Sequence, residues 1–382
     1  MYGSHLSIAG SMLNALAEAQ ALGLDTVQVF TKNQQQWHAK PLDQGVVRDW
    51  RENLSQLGWF DRTVSHASYL INLASPDDTL WKKSINLMLD EIERCEMLAI
   101  PFLVHHPGAY TTSSPEQGIA RIAAAYHELF IGTRGYRTVC CLEDTAGSGS
   151  HLGRTLEELA ALRAAIIDAT GVPERIGYCL DSCHLHAGGY DLSTRANAEV
   201  FLRRFDAECG LVHLKVVHLN DSKGACGSRV DRHAHIGEGT IGTGTDPTHL
   251  AESGFAAFVN HPKLRCIPKI LETPKETAPD GRPMDLVNLE RLRAIQDSPT
   301  PGIPPAPPSH RSSSRPPSDR TGTSDAKPSA KRSSSAGKAP KGLAGKPNST
   351  KSAKPLSKSG GSQPREKMPT SKSGRRKPPR KS

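Results

Sequence analysis

Ile176-Gly177-Tyr178-Cys179-Leu180-Asp181-Ser182-Cys183-His184 is a short apolar run that stops on a carboxylate, with an imidazole three residues further on. Such a run, followed by a longer segment of helical period, reads as one parallel βα unit. The same unit recurs on both sides of it. Strands are expected over residues 2–6, 26–30, 63–66, 102–106, 138–143, 176–181, 212–218 and 266–272. Helical periodicity lies between them, for example over residues 11–22 and 79–98. The second of these helices is preceded by Ser75-Pro76-Asp77-Asp78, where a cap, a proline and first-turn acids suit a helix start. Eight alternations point to an α/β fold closed as a (β/α)8 TIM barrel over residues 1–297, with a doubly wound open sheet as the alternative.

Expected strands three to eight each end at a residue type that binds metals: His66, His106, Glu143, Asp181, His218 and Glu272. With 16 His and 39 Asp and Glu in 382 residues, roughly one position in seven carries such a side chain, so six strand ends in succession exceed what composition supplies. Parallel barrel strands open their C-terminal ends onto one face, where barrel enzymes build their sites. Loops on that face add His184 in Asp-Ser-Cys-His, and Asp231 and His233 in Arg-Val-Asp-Arg-His. Four carboxylates crowded into one cup repel one another unless cations sit among them. Imidazole with carboxylate suits zinc, and also manganese or iron, whereas magnesium prefers oxygen alone. Nine ligands exceed what one tetrahedral ion takes and fit about three, if one carboxylate bridges.

The formal charge of +9 conceals two unlike segments. Residues 301–382 hold 20 Lys and Arg against 3 Asp and Glu, a charge of +17, which leaves −8 for residues 1–300. The Ser, Pro and Lys composition of residues 298–382 cannot bury enough surface to order itself, so a disordered tail is expected, held to nucleic acid through phosphate contacts. The eight cysteines form no Cys-x-x-Cys pair and fit reduced thiols. Neither a long uncharged apolar run nor a signal-peptide pattern occurs, so a cytoplasmic, nucleoid-associated protein without membrane contact is expected.

Gly237-x-Gly239-x-x-Gly242 matches a dinucleotide fingerprint by letter, but no βαβ unit surrounds it, and backbone flexibility near the metals is the expectation. His5 ends the first strand and is expected to support the ligands rather than join them. Strand alternation should turn His105 away from the cup. Phe30 to Trp37 and Ser68 to Asn72 follow strands two and three on the same face, with polar and aromatic side chains suited to phosphate and unstacked bases.

Taken together these segments resemble the endonuclease IV family of abasic-site endonucleases. The similarity runs from Tyr2 to about Leu292 through Gly3-Ser4-His5-Leu6-Ser7, Phe30-Thr31-Lys32-Asn33, His66-Ala67-Ser68-Tyr69-Leu70-Ile71-Asn72, His106-Pro107-Gly108, Leu142-Glu143-Asp144-Thr145-Ala146-Gly147, Asp181-Ser182-Cys183-His184, His218-Leu219-Asn220-Asp221-Ser222-Lys223, Arg229-Val230-Asp231-Arg232-His233 and Leu271-Glu272-Thr273. The resemblance implies three zinc ions per chain, manganese serving in part. By it, His66 and His106 hold one ion and Glu143 bridges to a second, held by Asp181, His218 and Glu272. His184, Asp231 and His233 hold the third, and Glu143 and Glu272 act in catalysis. It further implies hydrolysis of the phosphodiester 5′ to an abasic site in double-stranded DNA, leaving a 3′-hydroxyl, with cleaning of blocked 3′ ends, by a monomer in base excision repair. Gln35 stands where many members carry Arg, so that with Tyr69 and Leu70 a weaker wedge into DNA is expected. Asp144 replaces a usual Asn, and members generally lack the tail. A metal-dependent sugar isomerase or epimerase on a similar barrel is the main rival, and a catalytically silent DNA-binding protein the second.

Overall fold

A computed structural model of the chain describes residues 1–297, and the expected basic tail lies outside the described residues. In chain order the first part runs β1 (Tyr2–His5), α1 (Met12–Ala21), β2 (Thr26–Val29), α2 (Gln44–Leu57), β3 (Val64–His66), α3 (Asp78–Leu98), β4 (Phe102–His105) and α4 (Pro115–Gly132). It continues with β5 (Val139–Glu143), α5 (Leu156–Thr170), β6 (Ile176–Asp181), α6 (Ser182–Gly188), α7 (Arg195–Glu208) and β7 (Leu214–His218). The last part holds β8 (Asp221–Ser222), β9 (His233–Ala234), α8 (Pro247–Glu252), α9 (Gly254–Asn260), β10 (Lys269–Leu271) and α10 (Met284–Ala294).

Strands β1 to β7 and β10 pair side by side in parallel and close on themselves through β1 and β10. The closed barrel is thus the observed form, and the open sheet is excluded. Except for β6, which matches its expected bounds, the paired segments are shorter than the expected ones. The seventh begins at Leu214 because residues 211–213 coil into a 3-10 turn, and the eighth is only Lys269–Leu271. β8 and β9 form a separate antiparallel ribbon that the apolar pattern did not announce.

Helix starts follow local hydrogen bonding. Asp77, not Ser75, caps α3, its side chain accepting from the Leu80 N–H, while Ser114 caps α4 ahead of Pro115 at the first turn. Most of the core lies between the barrel and its helices, with Trp50, Tyr126, Phe205 and Phe258 among its largest buried members. A second, smaller cluster of Val64, Val104, Cys141, Cys179, Val216 and Ile270 fills the barrel itself. These six set the parity of each strand. Two residues beyond each, on the same face, come His66, His106, Glu143, Asp181, His218 and Glu272.

Candidate metal centre

The apolar floor and the polar residues above it are successive layers of the barrel interior. β1 and β2 complete the upper layer with His5, two after Gly3, and Gln28, two after Thr26. Asp181 has a double task. As the N-cap of α6 its Oδ1 accepts from the His184 N–H at 3.0 Å, which fixes His184 within the first turn of the helix beside the strand end. The ribbon β8–β9 carries the chain over the same mouth and delivers His233, with Asp231 just before it. All nine sequence candidates therefore gather at one end of the barrel.

The imidazoles are oriented by fixed acceptors. Backbone carbonyls can only accept, so His66 Nδ1 donates to Ala67 O (2.8 Å), His184 Nδ1 to Asp144 O (3.0 Å) and His233 Nδ1 to Glu272 O (3.1 Å). In each ring Nε2 is left facing the cup. His218 is turned the other way round: its Nε2 meets Gln28 Oε1 at 2.9 Å, which leaves Nδ1 aimed at Glu143 Oε1 (2.9 Å) and Glu272 Oε2 (3.2 Å). Tying one ring nitrogen to an outer acceptor while the other points inward is how proteins present histidine to a metal.

Donor separations fit the same purpose. Bonds of about 2.1 Å at tetrahedral angles set neighbouring ligand atoms about 3.4 Å apart. The structure places His106 Nε2 3.6 Å from Glu143 Oε2, His184 Nε2 3.2 Å from Asp231 Oδ2, and His233 Nε2 3.4 Å from Asp231 Oδ1 and 3.7 Å from Asp181 Oδ2. His233 Nε2 is buried and has no hydrogen-bond partner, an orphan that a cation would satisfy. Donor atoms of His66, His106 and Glu143 lie within 4.8 Å of one another, as do those of Asp181, His184 and His233. The residues present fit a group of divalent ions.

Charge in the cup is strongly coupled. Burial pushes the Glu143 carboxyl up, but His106 and His218 outweigh it and hold it well below the usual range. Burial likewise opposes the charged forms of His184 and His218, yet the surrounding acids hold both well above their ordinary value. His106 goes the other way, pulled down to about 4 by burial. Protons thus stand in for cations among these carboxylates. Asp144, whose Oδ1 accepts from the Asp181 N–H at 2.7 Å, is held well above its ordinary value by burial. Its outline is much the same as that of an asparagine amide.

Gln28 and Asn220 were not singled out from the sequence. Gln28 Nε2 donates to Glu272 Oε1 at 2.6 Å, and Asn220 ties Asp181 Oδ2 (2.6 Å) to the Glu272 N–H (2.7 Å). For Gln28 the available signal was its place in the layer, two residues beyond Thr26 in an inward-facing row. His5 Nδ1 lies 3.1 Å from Glu272 Oε1, matching the supporting place expected of it. His105 faces outward to Tyr126 Oη, as alternation required.

Around the mouth, Tyr69 is 61% exposed with its ring centroid 5.3 Å from that of His66, Gln35 is exposed, and Leu70 is half-buried against the core. A cleft of about 390 Å³ leads from His66, Tyr69, His106, His184 and Asp231 to Asn72, Gly147 and His151. A further triad, His186, Asp191 and Cys226, lies apart from the cup. There the Leu192 N–H donates to His186 Nδ1 at 3.2 Å. That bond puts the ring proton on Nε2 and leaves no lone pair for a metal.

The glycine motif has a rigid use in place of the expected flexibility. Backbone N–H groups of Ser222, Gly237, Gly239, Ile241 and Gly242 donate to the Asp221 carboxylate at 2.8 to 3.1 Å. The protein's own side chain occupies the anion cradle that the letters of a nucleotide motif suggest. Asp221→Ala is expected to lower stability by about 3 to 4 kcal/mol, since buried N–H groups would be left unpaired. It should also open the loop bearing Asp231 and His233 to proteolysis. Urea denaturation and limited digestion would check this, and an unchanged midpoint would contradict it.

The chain matches the xylose isomerase-like TIM barrel family over residues 16–290. It is 41% identical over 296 residues to a Chloroflexus aurantiacus protein named "Probable endonuclease 4", covering 77% of this chain and 97% of that one. The crystal structure of endonuclease IV from Thermus thermophilus superposes with a TM-score of 0.64 at 36% identity, over 77% of this chain and 98% of that one. A D-tagatose 3-epimerase-like protein shares the fold alone, with a TM-score of 0.54 at 18% identity over 77% of this chain and 96% of that one. Relatives of this identity and coverage, on a closed barrel whose C-terminal mouth is lined with imidazoles and carboxylates, place the chain in the endonuclease IV family.

Proposed function

We propose that this chain is a DNA repair endonuclease that hydrolyses the phosphodiester 5′ to an abasic site, leaves a 3′-hydroxyl and also clears blocked 3′ ends. The observation that carries the reading is the orientation of four imidazoles, His66, His184, His218 and His233, each with one nitrogen tied to an outer acceptor and the other turned toward carboxylates. Relatives named as endonuclease 4 support it. Three divalent ions, zinc with manganese as a partial substitute, would be held by His66, His106, Glu143, Asp181, His184, His218, Asp231, His233 and Glu272. Such ions supply an acidified water and neutralise charge on the phosphodiester.

The chain's own residues do the rest. Glu143 places its two oxygens between separate groups of imidazoles, so it can join two ion sites. Glu272 is braced by His5 and Gln28 on one oxygen and offers the other toward His218. Tyr69 and Gln35 stand exposed at the mouth as the contacts for DNA, with Leu70, next to Tyr69 in the chain, half-buried against the core. Asp144 keeps the Asp181 backbone in place by accepting from its N–H.

The division into a catalytic barrel, residues 1–297, and a basic tail belongs to the same proposal, with the tail holding DNA phosphates and the protein acting as a monomer in the cytoplasm on the nucleoid. Among the described residues no helix is long and apolar enough to cross a membrane. Deleting residues 301–382 is expected to flatten the dependence of DNA affinity on salt while nicking persists. Equal salt slopes for the two forms would contradict the tail's part. The function itself is tested by incubating the metal-loaded protein with an abasic-site duplex and, separately, with ketoses. Nicking 5′ to the lesion is expected, and sugar turnover without nicking would overturn the reading.

A further inference from the structure

Two loops carry the exposed side chains at the mouth: residues 30–40 after β2, with Gln35, and residues 67–73 after β3, with Tyr69. Both are moored to one carboxylate outside the metal cup. Glu91, on the inner face of α3, is 1% exposed. Its Oε1 lies 3.1 Å from Lys32 Nζ and accepts from the Ser68 N–H at 3.2 Å, and its Oε2 accepts from Thr31 Oγ1 at 2.9 Å. Lys32 is itself buried, 3% exposed at the side chain. Ser68 Oγ donates across to Gln34 O at 2.5 Å, tying the two loops to each other. One turn further along α3, Arg94 donates to Thr31 O at 3.4 Å and Lys40 O at 2.5 Å.

Gln35 and Tyr69 each follow directly on a moored residue, Gln34 and Ser68. A buried ion pair is a poor source of net stability, because desolvation offsets its attraction, but it is selective about geometry. We infer that Glu91 is a positioning residue, which sets the height and spacing of the Gln35 and Tyr69 loops over the mouth for duplex DNA. The inference rests on the proposed function for its substrate, and it assigns Glu91 no contact with the reacting atoms. Small misplacements of groups remote from the chemistry can cost large factors in substrate engagement.

The test uses the full-length, metal-loaded protein and an abasic-site duplex, comparing wild type with Glu91→Gln and with Thr31→Val. The second variant is isosteric and removes a single bond to Glu91. KM, kcat, duplex Kd by fluorescence anisotropy, metal content and Tm are measured for each. Glu91→Gln is expected to raise KM and Kd about tenfold, with kcat within about threefold and metal content unchanged. Thr31→Val should shift KM and Kd in the same direction by less. A lowered Tm with unchanged KM and Kd would overturn the inference by reducing Glu91 to a structural part. Loss of kcat together with bound metal would overturn it by placing the effect in the cup. Should Glu91→Gln fail to fold, Thr31→Val decides, and an unchanged Kd there overturns the inference. A wild type that binds the duplex without nicking it sinks the proposed function, while Kd still reads the positioning of the loops.

Discussion

Glu143→Ala is expected to reduce nicking of an abasic duplex about a thousandfold or more, while affinity for the duplex stays within about threefold. Glu143 is fully buried, with imidazoles facing both of its oxygens. Its Oε2 lies 3.1 Å from His66 Nε2 and 3.6 Å from His106 Nε2, and its Oε1 lies 2.9 Å from His218 Nδ1 and 3.7 Å from His184 Nδ1. Alanine removes both oxygens at once, so any ions on either side of Glu143 lose their shared ligand. Duplex affinity persists because Tyr69 and Gln35 belong to other loops. Glu143→Gln keeps the shape and removes the charge, so a matching loss of nicking and of metal content would assign the effect to the carboxylate and not to a cavity. Nicking that survives both substitutions would refute the bridging role.

The second large effect concerns metal and pH together. Burial pulls the His233 imidazole down, but Asp181 and Asp231 outweigh it and hold it up at about 9. In the unfolded chain the same group titrates near about 6.5. A folded value above the unfolded one lends stability that is complete below about pH 6.5 and is given up as pH climbs through about 9. For His233 in the metal-free chain that loss amounts to about 3 kcal/mol. His184 and His218 are raised in the same sense and add to it. Cations need these lone pairs free of protons, so they bind more tightly over the same window. The Tm gap between loaded and chelator-treated protein should therefore widen from pH 6.5 to 9, and loading should release protons into a weak buffer. A gap that is flat across that range, with no protons released, would contradict the account.

The barrel and most of its polar layer were legible in the sequence because both depend on a period of two. An apolar residue such as Val64, Cys141 or Val216 marks the inward face, and the side chain two positions on shares it. His66, Glu143 and His218 follow by counting. What escaped notice depends on partners distant in the chain. Gln28 meets His218 across 190 residues, and Asn220 reaches the Glu272 backbone across 52. Neither residue type belongs to the usual set of metal ligands, so residue type alone passes over them. The glycines after His235 were misread for a related reason: a motif records where the backbone can bend and not what it bends around. The object was Asp221, whose five backbone donors lie in residues 222 to 242. Asp144 stood out from the sequence as a departure, but its bond to the Asp181 N–H joins residues 37 apart and could not be read from the sequence.

The most direct test is the divalent metal content of the folded full-length chain, freed of loose ions and measured by plasma mass spectrometry beside a nicking assay on the same sample. About three ions per chain, mostly zinc, are expected, with nicking lost as they are stripped and regained on reloading. A content near zero, or nicking indifferent to a strong chelator, would contradict the account.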